Sequence, residues 1–236
     1  MNAVENLTSG RAMAHSENSH PGANRQAAAR RGLHVFLIRH GETEWALTGQ
    51  HTGRTDLPLT ARGEAQAIEL GKQLQGIDFA RVWSSPLTRA RQTCERVAAH
   101  RAFACDPDLA EWDYGDYEGK TSADICQQRP GWDVFRDGCP HGESPVQIGA
   151  RADRLIARLR QETGNIALFS HGQLGVVLAA RWVGLVVAEA SHLSLDVASV
   201  SVLSCDSHHP EVAVIASWNR VCLERFKTSF ATPMAP

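Results

Sequence analysis

Residues 33–38, Leu-His-Val-Phe-Leu-Ile, form a short apolar run that ends on a polar turn, Arg39-His40-Gly41-Glu42-Thr43. A run of this length, bounded so sharply, reads as a buried strand. A polar loop follows from Trp45 to Pro58, punctuated by Gly49, Gly53 and Pro58. Thr60 predicts the N-cap of a helix reaching to about Gln75, where Gly76 stops it. Ala67, Leu70 and Leu74, with Ile68 beside them, recur at helical spacing. Residues 79–83 read as a second strand. Ser85-Pro86 then predicts a helix to about His100, with Ser85 as cap and Pro86 at the first helical position.

Residues 101–104 suit a short strand, and residues 109–119 an acidic-aromatic loop. A mixed segment follows, with Trp132, Phe135 and a turn at Arg136-Asp137-Gly138. Glu143-Ser144-Pro145 opens a helix to about Glu162. Residues 165–169 form a clear strand that ends in Ser170-His171-Gly172, and a helix over 174–182 is closed by Gly184. Residues 197–203 and 212–217 read as two last strands, neighbours joined by a turn around His208-His209-Pro210. Strands alternating with helices predict an α/β fold, a three-layer α/β/α sandwich with a mostly parallel central sheet.

Composition narrows the picture. The 236 residues are 43% hydrophobic and 21% charged, enough for a sizeable core. No interior linker is evident, so residues 32–220 read as one domain. Residues 1–31, rich in Ala, Ser, Asn, Arg and His without hydrophobic periodicity, read as a disordered leader. Residues 221–236 read as a C-terminal tail. The net charge of −2 implies no basic face, so nucleic acid is not an expected partner. No run is long enough to span a membrane, and no signal-peptide apolar stretch is visible. Six cysteines are scattered without a C-x-x-C pair, which argues against a disulfide framework or a zinc site and fits a reducing cytoplasm.

The chemistry gathers at strand ends. Arg39-His40-Gly41 places an imidazole and a guanidinium at the carboxyl edge of a strand, where ligands bind in open α/β sheets. Read alone, the tripeptide fits an anion site or a plain strand-end turn equally well. Ser170-His171-Gly172 occupies the equivalent place in a second strand–turn unit. A helix starting just after it would add N–H donors for an anion. Arg89 and Arg91 lie two positions apart on a helix and cannot face the same way, whereas Arg89 and Thr93 share a face. Alone, that arginine pair reads better as surface. In residues 111–119, carboxylates among aromatics suit a general acid, since burial and like charge both raise a carboxyl pKa. Alone, the stretch reads better as a solvated acidic loop.

Taken together, these motifs resemble the histidine phosphatase superfamily, of phosphoglycerate-mutase-like fold. The resemblance spans residues 33–217. It rests on Arg39-His40-Gly41, Leu57-Pro58-Leu59-Thr60 with Gly63, Ser84-Ser85-Pro86 with Arg89-Ala90 and Thr93, Glu111 with Tyr114-Gly115, Gly142-Glu143-Ser144, and Ser170-His171-Gly172. It implies that His40 is a nucleophile forming phosphohistidine. Arg39, Arg89 and a protonated His171 would clamp the phosphate, and Glu111 would be the proton donor. Thr43, Thr52, Gly53, Tyr114, Gly172 and Gln173 would meet the substrate. No metal and no cofactor are implied. The field of the arginines would keep His40 neutral through like-charge repulsion.

The chain departs from the mutases of that family. Ala46 and Gln173 stand where those enzymes carry Asn, and only 60 positions separate Glu111 from His171, with no paired arginines between them. A phosphohistidine so exposed should lose its phosphate to water. The expectation is a phosphomonoester hydrolase acting on a small phosphorylated metabolite such as a sugar phosphate. A cofactor-dependent phosphoglycerate mutase and an inactive phosphate-binding protein are the alternatives. Residues 49–56 and 111–119, with Trp132 and Arg136-Asp137-Gly138-Cys139, are similar to a phosphatase branch that includes bacterial acid phosphatases and a fungal sedoheptulose-bisphosphatase. Arg54, His51 and Arg136 are candidate recognition residues, with plain surface residues as the alternative, and Trp45 and Tyr114 are candidates for the pocket mouth, with core packing as the alternative. The sequence leaves a homodimer open.

Overall fold

The computed structural model describes residues 32–98 and 101–221. The leader and most of the tail expected from sequence lie outside the described residues. The elements run in the order β1 (Leu33–Arg39), α1 (Glu44–Thr48), α2 (Ala61–Gln73), β2 (Phe79–Ser84), α3 (Thr88–Val97) and β3 (Ala104–Cys105). They continue with α4 (Ser122–Gln128), α5 (Val134–Asp137), α6 (Pro145–Leu159), β4 (Gly164–Ser170), α7 (Gly172–Trp182), β5 (Val200–Cys205) and β6 (Ala213–Arg220). Short 3-10 helices at Pro107–Leu109, Gly115–Tyr117 and Val187–His192 connect them.

The strands form one six-stranded sheet in the order β3-β2-β4-β1-β5-β6. The β3-β2-β4-β1 half is parallel, and β5 and β6 add antiparallel at one edge. Alternation along β1 divides the core, because successive side chains of a strand point to opposite faces. Leu33, Val35 and Leu37 join α6, α7 and the acidic-aromatic loop on one face, and Phe36 and Ile38 join α2 and α3 on the other. This is the three-layer sandwich expected from the alternating pattern.

Several boundaries differ from expectation. The polar loop after β1 contains α1, held by the Thr43 side chain at its N-terminus and by Gly49 in the left-handed region at its end. α4 and α5 lie in the mixed segment. α3 begins at Thr88, and Leu87 rather than Ser85 occupies its cap position without a side-chain bond. By contrast, α6 follows its Ser-Pro cue: Ser144 caps it in a reciprocal capping box with Gln147. Among the described residues, no helix is long and apolar enough to cross a membrane.

Candidate active site

The parallel register pairs Arg39 with Ser170. The residues that follow, His40 and His171, therefore emerge side by side at the carboxyl edge, with ring centroids 5.2 Å apart at 61°. Both histidines are buried. The Nδ1 of His40 lies 2.7 Å from the Gly41 carbonyl oxygen. A carbonyl can only accept, so Nδ1 carries the hydrogen and Nε2 keeps its lone pair. The pKa of His40 sits well below the ordinary 6.5, through burial first and then the charges of Arg89 and Arg39. Sequence reasoning named the arginines alone, and desolvation is the larger cause.

The turn beneath His40 is braced by close backbone contact. The Gly41 N–H donates to Thr93 Oγ1 at 3.0 Å. A Cβ on Gly41 would lie 2.4 Å from the Gly63 carbonyl oxygen, and one on Gly63 would lie 2.2 Å from that of Glu42. The N-terminus of α2 thus seats directly on the turn, which accounts for Thr60 and Gly63 in the motif set.

Arg39 donates from Nη1 to the Leu195 carbonyl, and its Nε is buried with no partner among the described residues. Gly172 gives it room, since a Cβ there would approach Arg39 Cζ to 3.3 Å. Arg89 is fully buried, so the expectation of a surface pair holds only for Arg91, which is exposed. Arg89 Nη1 donates to the Thr55 carbonyl at 2.9 Å, and Nη2 to those of Thr52 and Gly53 at 3.0 Å. Its Nε donates to His171 Nδ1 at 3.2 Å.

That last bond corrects the expectation of a protonated His171. Guanidinium is donor-only, so Nδ1 must hold a lone pair and the ring is neutral. Burial, then the charge of Arg89, puts its pKa well below 6.5. The hydrogen is on Nε2, 2.7 Å from Ser85 Oγ.

Glu111 is 8% exposed, not part of a solvated loop. Oε1 accepts the N–H groups of Trp112 (2.9 Å) and Leu174 (2.8 Å), and Oε2 that of Gln173 (3.1 Å). His171, at the cap position of α7, gives no side-chain cap, and Glu111 satisfies the orphan donors from across the sheet edge.

A cavity of about 160 Å³ beside His40 brings together Arg39, Thr43, Thr52, Glu111, Tyr114 and Gln173. Trp45, Ala46 and His51 also line it, as do Gly49 and Gln50, which sequence reasoning missed. The αL glycine ending α1 was the available signal for those two. His51 stacks on Tyr114 with centroids 4.5 Å apart and bonds Ser122 Oγ through Nε2 at 3.0 Å. Burial and Glu111 push the Tyr114 phenol far above its ordinary pKa, so it stays a donor. Gly53 and Arg54 line a different cavity, of about 720 Å³, and Glu111 lines both. Arg54 Nε pairs with Asp113 at 2.5 Å. Arg136 lines neither cavity; its guanidinium holds Asp137 and the Gly131 carbonyl, so the structure does not bring it to the site. Ser85, also missed, is the partner of His171.

Known proteins share this arrangement of sequence and fold. The model of the histidine phosphatase superfamily (branch 1) matches residues 35–218. An acid phosphatase of Mycobacterium tuberculosis is 38% identical over 190 residues, covering 78% of this chain and 93% of the relative. The sedoheptulose 1,7-bisphosphatase of Saccharomyces cerevisiae is 37% identical over 183 residues, covering 64% of this chain and 67% of the relative. The structure of a mycobacterial glucosyl-3-phosphoglycerate phosphatase with VO3 superposes with a TM-score of 0.71 at 28% identity, covering 80% of this chain and 99% of that one. With its two strand-end histidines and a match over most of its length, the chain belongs to the histidine phosphatase superfamily, branch 1.

Proposed function

We propose that the protein hydrolyses the phosphomonoester of a small metabolite, a sugar phosphate, through a phosphohistidine on His40. The observation that carries this reading is the pairing of a free Nε2 lone pair on a buried, neutral His40 with the buried, unpartnered Nε of the adjacent Arg39. A nucleophile and a cation whose Nε–H is uncommitted stand on consecutive residues at the sheet edge. The lone pair forms the N–P bond as the ester P–O bond breaks, and the leaving alkoxide takes a proton from Glu111. The Glu111 carboxylate then accepts a proton from the water that attacks phosphorus and releases His40. Positioning and compensation of oxygen charge are the main demands of phosphoryl transfer. Arg39 answers them beside His40, while Arg89 holds His171 and the loop at Thr52–Thr55 in place.

Hydrolysis is favoured over a mutase by the short span from Glu111 to His171, whose Arg151 and Arg154 line the larger cavity but are paired with Glu143 and Asp108. The relatives named for sedoheptulose bisphosphate and glucosyl-3-phosphoglycerate support a sugar phosphate as substrate. The same reading takes residues 32–220 as one cytoplasmic catalytic domain. The test is release of phosphate from p-nitrophenyl phosphate and a panel of sugar phosphates, with and without His40→Ala. Undiminished turnover by the variant rejects the phosphohistidine. Rapid interconversion of 3- and 2-phosphoglycerate primed by bisphosphoglycerate rejects the hydrolase reading.

A further inference from the structure

The Arg89–His171 pair sits in a chain of donors and acceptors that only one tautomer satisfies. At one end, Arg89 gives its Nη hydrogens to the carbonyls of Thr52, Gly53 and Thr55 and its Nε hydrogen to His171 Nδ1. At the other end stands Ser85, wholly buried, its Oγ 2.7 Å from His171 Nε2. Ser85 is placed there by the sheet. Ser84 pairs with Phe169 at the end of the β2–β4 ladder, and the Ser85 N–H continues it to the Phe169 carbonyl at 2.8 Å. The hydroxyl oxygen thereby faces the residue two positions beyond Phe169, which is His171.

We propose that Ser85 is a positioning residue that stabilises the Nε2–H tautomer of His171 demanded by Arg89 and, through it, holds Arg89 and the Thr52–Thr55 loop in register with His40. The reverse tautomer would set an Nδ1–H against the Arg89 Nε–H, two donors with no acceptor between them. Arg89 would have to withdraw, and the carbonyls it grips belong to the loop that carries Thr52 to the cavity wall. Arg89, which can only donate, selects the tautomer at Nδ1, and Ser85 Oγ, which also accepts the Leu87 N–H at 3.3 Å, supplies the acceptor that the buried Nε2–H then needs. This order also leaves both ring nitrogens of His171 committed to protein partners. In the free site the ring is therefore a wall for His40, 5.2 Å away, rather than a second base.

The consequence for turnover rests on the phosphatase reading; the tautomer does not. The experiment is an imidazole ¹⁵N spectrum of the full chain, run beside steady-state kinetics on the best sugar phosphate. In the parent, His171 should show a single Nε2–H tautomer that does not titrate between about pH 5 and 8, where free imidazole changes charge. Ser85→Ala should give a tautomer mixture and lower kcat/KM by about 10²-fold, the scale of a small misplacement in a catalytic array. Ser85→Thr, which restores the hydroxyl, should recover most of both. Ser84→Ala deletes the same atom from an equally buried neighbour whose hydroxyl reaches only the Ser85 carbonyl, and should keep the tautomer. A parent spectrum with hydrogen on Nδ1 overturns the proposal, as does Ser85→Ala with an unchanged tautomer. If Ser85→Ala does not fold, Ser85→Cys, a weaker acceptor of similar size, should shift the tautomer ratio, and an unshifted ratio overturns the proposal equally. A parent that turns over no phosphoester fails the phosphatase reading and leaves the spectrum to decide the tautomer.

Discussion

The Glu111 carboxylate accepts the N–H of Leu174 at 2.8 Å, so the candidate proton donor and the N-terminal cap of α7 are the same group. Removing it should cost both activity and stability. Glu111→Ala should lower kcat by about 10²–10⁴-fold, the usual contribution of general acid–base catalysis. It should also destabilise the fold by about 1–2 kcal/mol, as loss of a helix cap does. Glu111→Gln keeps a carbonyl oxygen for the helix and loses the proton chemistry. Its urea midpoint should lie closer to the parent while its kcat falls as far.

His40 and His171 are both neutral in the fold and both have pKa values well below 6.5. In the unfolded chain each imidazole binds a proton as pH falls through 6.5. The unfolded state therefore binds more protons than the native state below that point, and stability falls with falling pH. The loss should approach about 1.4 kcal/mol per pH unit for each histidine, and none of it should be present above about pH 7. Denaturant midpoints at a series of pH values, compared between the parent and His171→Gln, measure it. The kcat/KM profile, in turn, should lack the inflection near 6.5 that a solvated nucleophilic imidazole would show.

Gly63 lies in a helix, lines neither cavity, and should still be required. A methyl group there would sit 2.2 Å from the Glu42 carbonyl oxygen, so the backbone must move. Gly63→Ala should destabilise by about 1–3 kcal/mol, the range for overpacking. It should also depress kcat, because the displaced turn carries His40. Gly49→Ala is the contrast: among the described residues no atom lies within 4 Å of the added group, and the cost to folding is the left-handed φ of 72°. Thermal melts and kcat for the two variants separate steric displacement of the turn from backbone strain.

Thr93 and Arg91 occupy the same helix and should behave oppositely. Thr93 Oγ1 accepts the Gly41 N–H at 3.0 Å and donates to the Arg89 carbonyl at 2.8 Å. Thr93→Val keeps the shape and strands the Gly41 N–H in the interior, at a cost of about 1–3 kcal/mol. Arg91→Ala, on the exposed face, should change stability by no more than about 0.5 kcal/mol and leave turnover intact. Chemical denaturation of both variants checks the difference.

The site could be read from the chain as far as its signals were local. Apolar runs with abrupt polar ends marked β1 and β4, and the His-Gly after each marked the edge. The dipeptide Ser-Pro shows where this stops. It opens α6 at Ser144-Pro145 as a cap, yet at Ser85-Pro86 the serine extends a strand and serves a histidine. Nothing within a few residues tells the two apart; the difference is the Ser85 N–H bonded to Phe169, a contact between distant segments. α1, α4 and α5 escaped for a related reason. They span four to seven residues, too few to show a helical period, and are held by caps at Thr43, Thr121 and Asp133. Arg136 fell away from the site because an exposed arginine bears no mark of which carboxylate it will meet.

The order of the strands also sets when the site can exist. β4 lies between β1 and β2 in the sheet but is the fourth strand to be made. Leu33 pairs with Gly164, 131 positions later. Pairings across so much chain carry a large loop-closure cost and form slowly. The nascent chain therefore holds His40, Arg89 and Glu111 well before β4 emerges, with the slot between β1 and β2 unfilled and His171 unmade. Assembly of the catalytic edge and closure of the central sheet are one event. Refolding followed by recovered turnover and by burial of Trp182, on the helix after β4, should give the same rate constant.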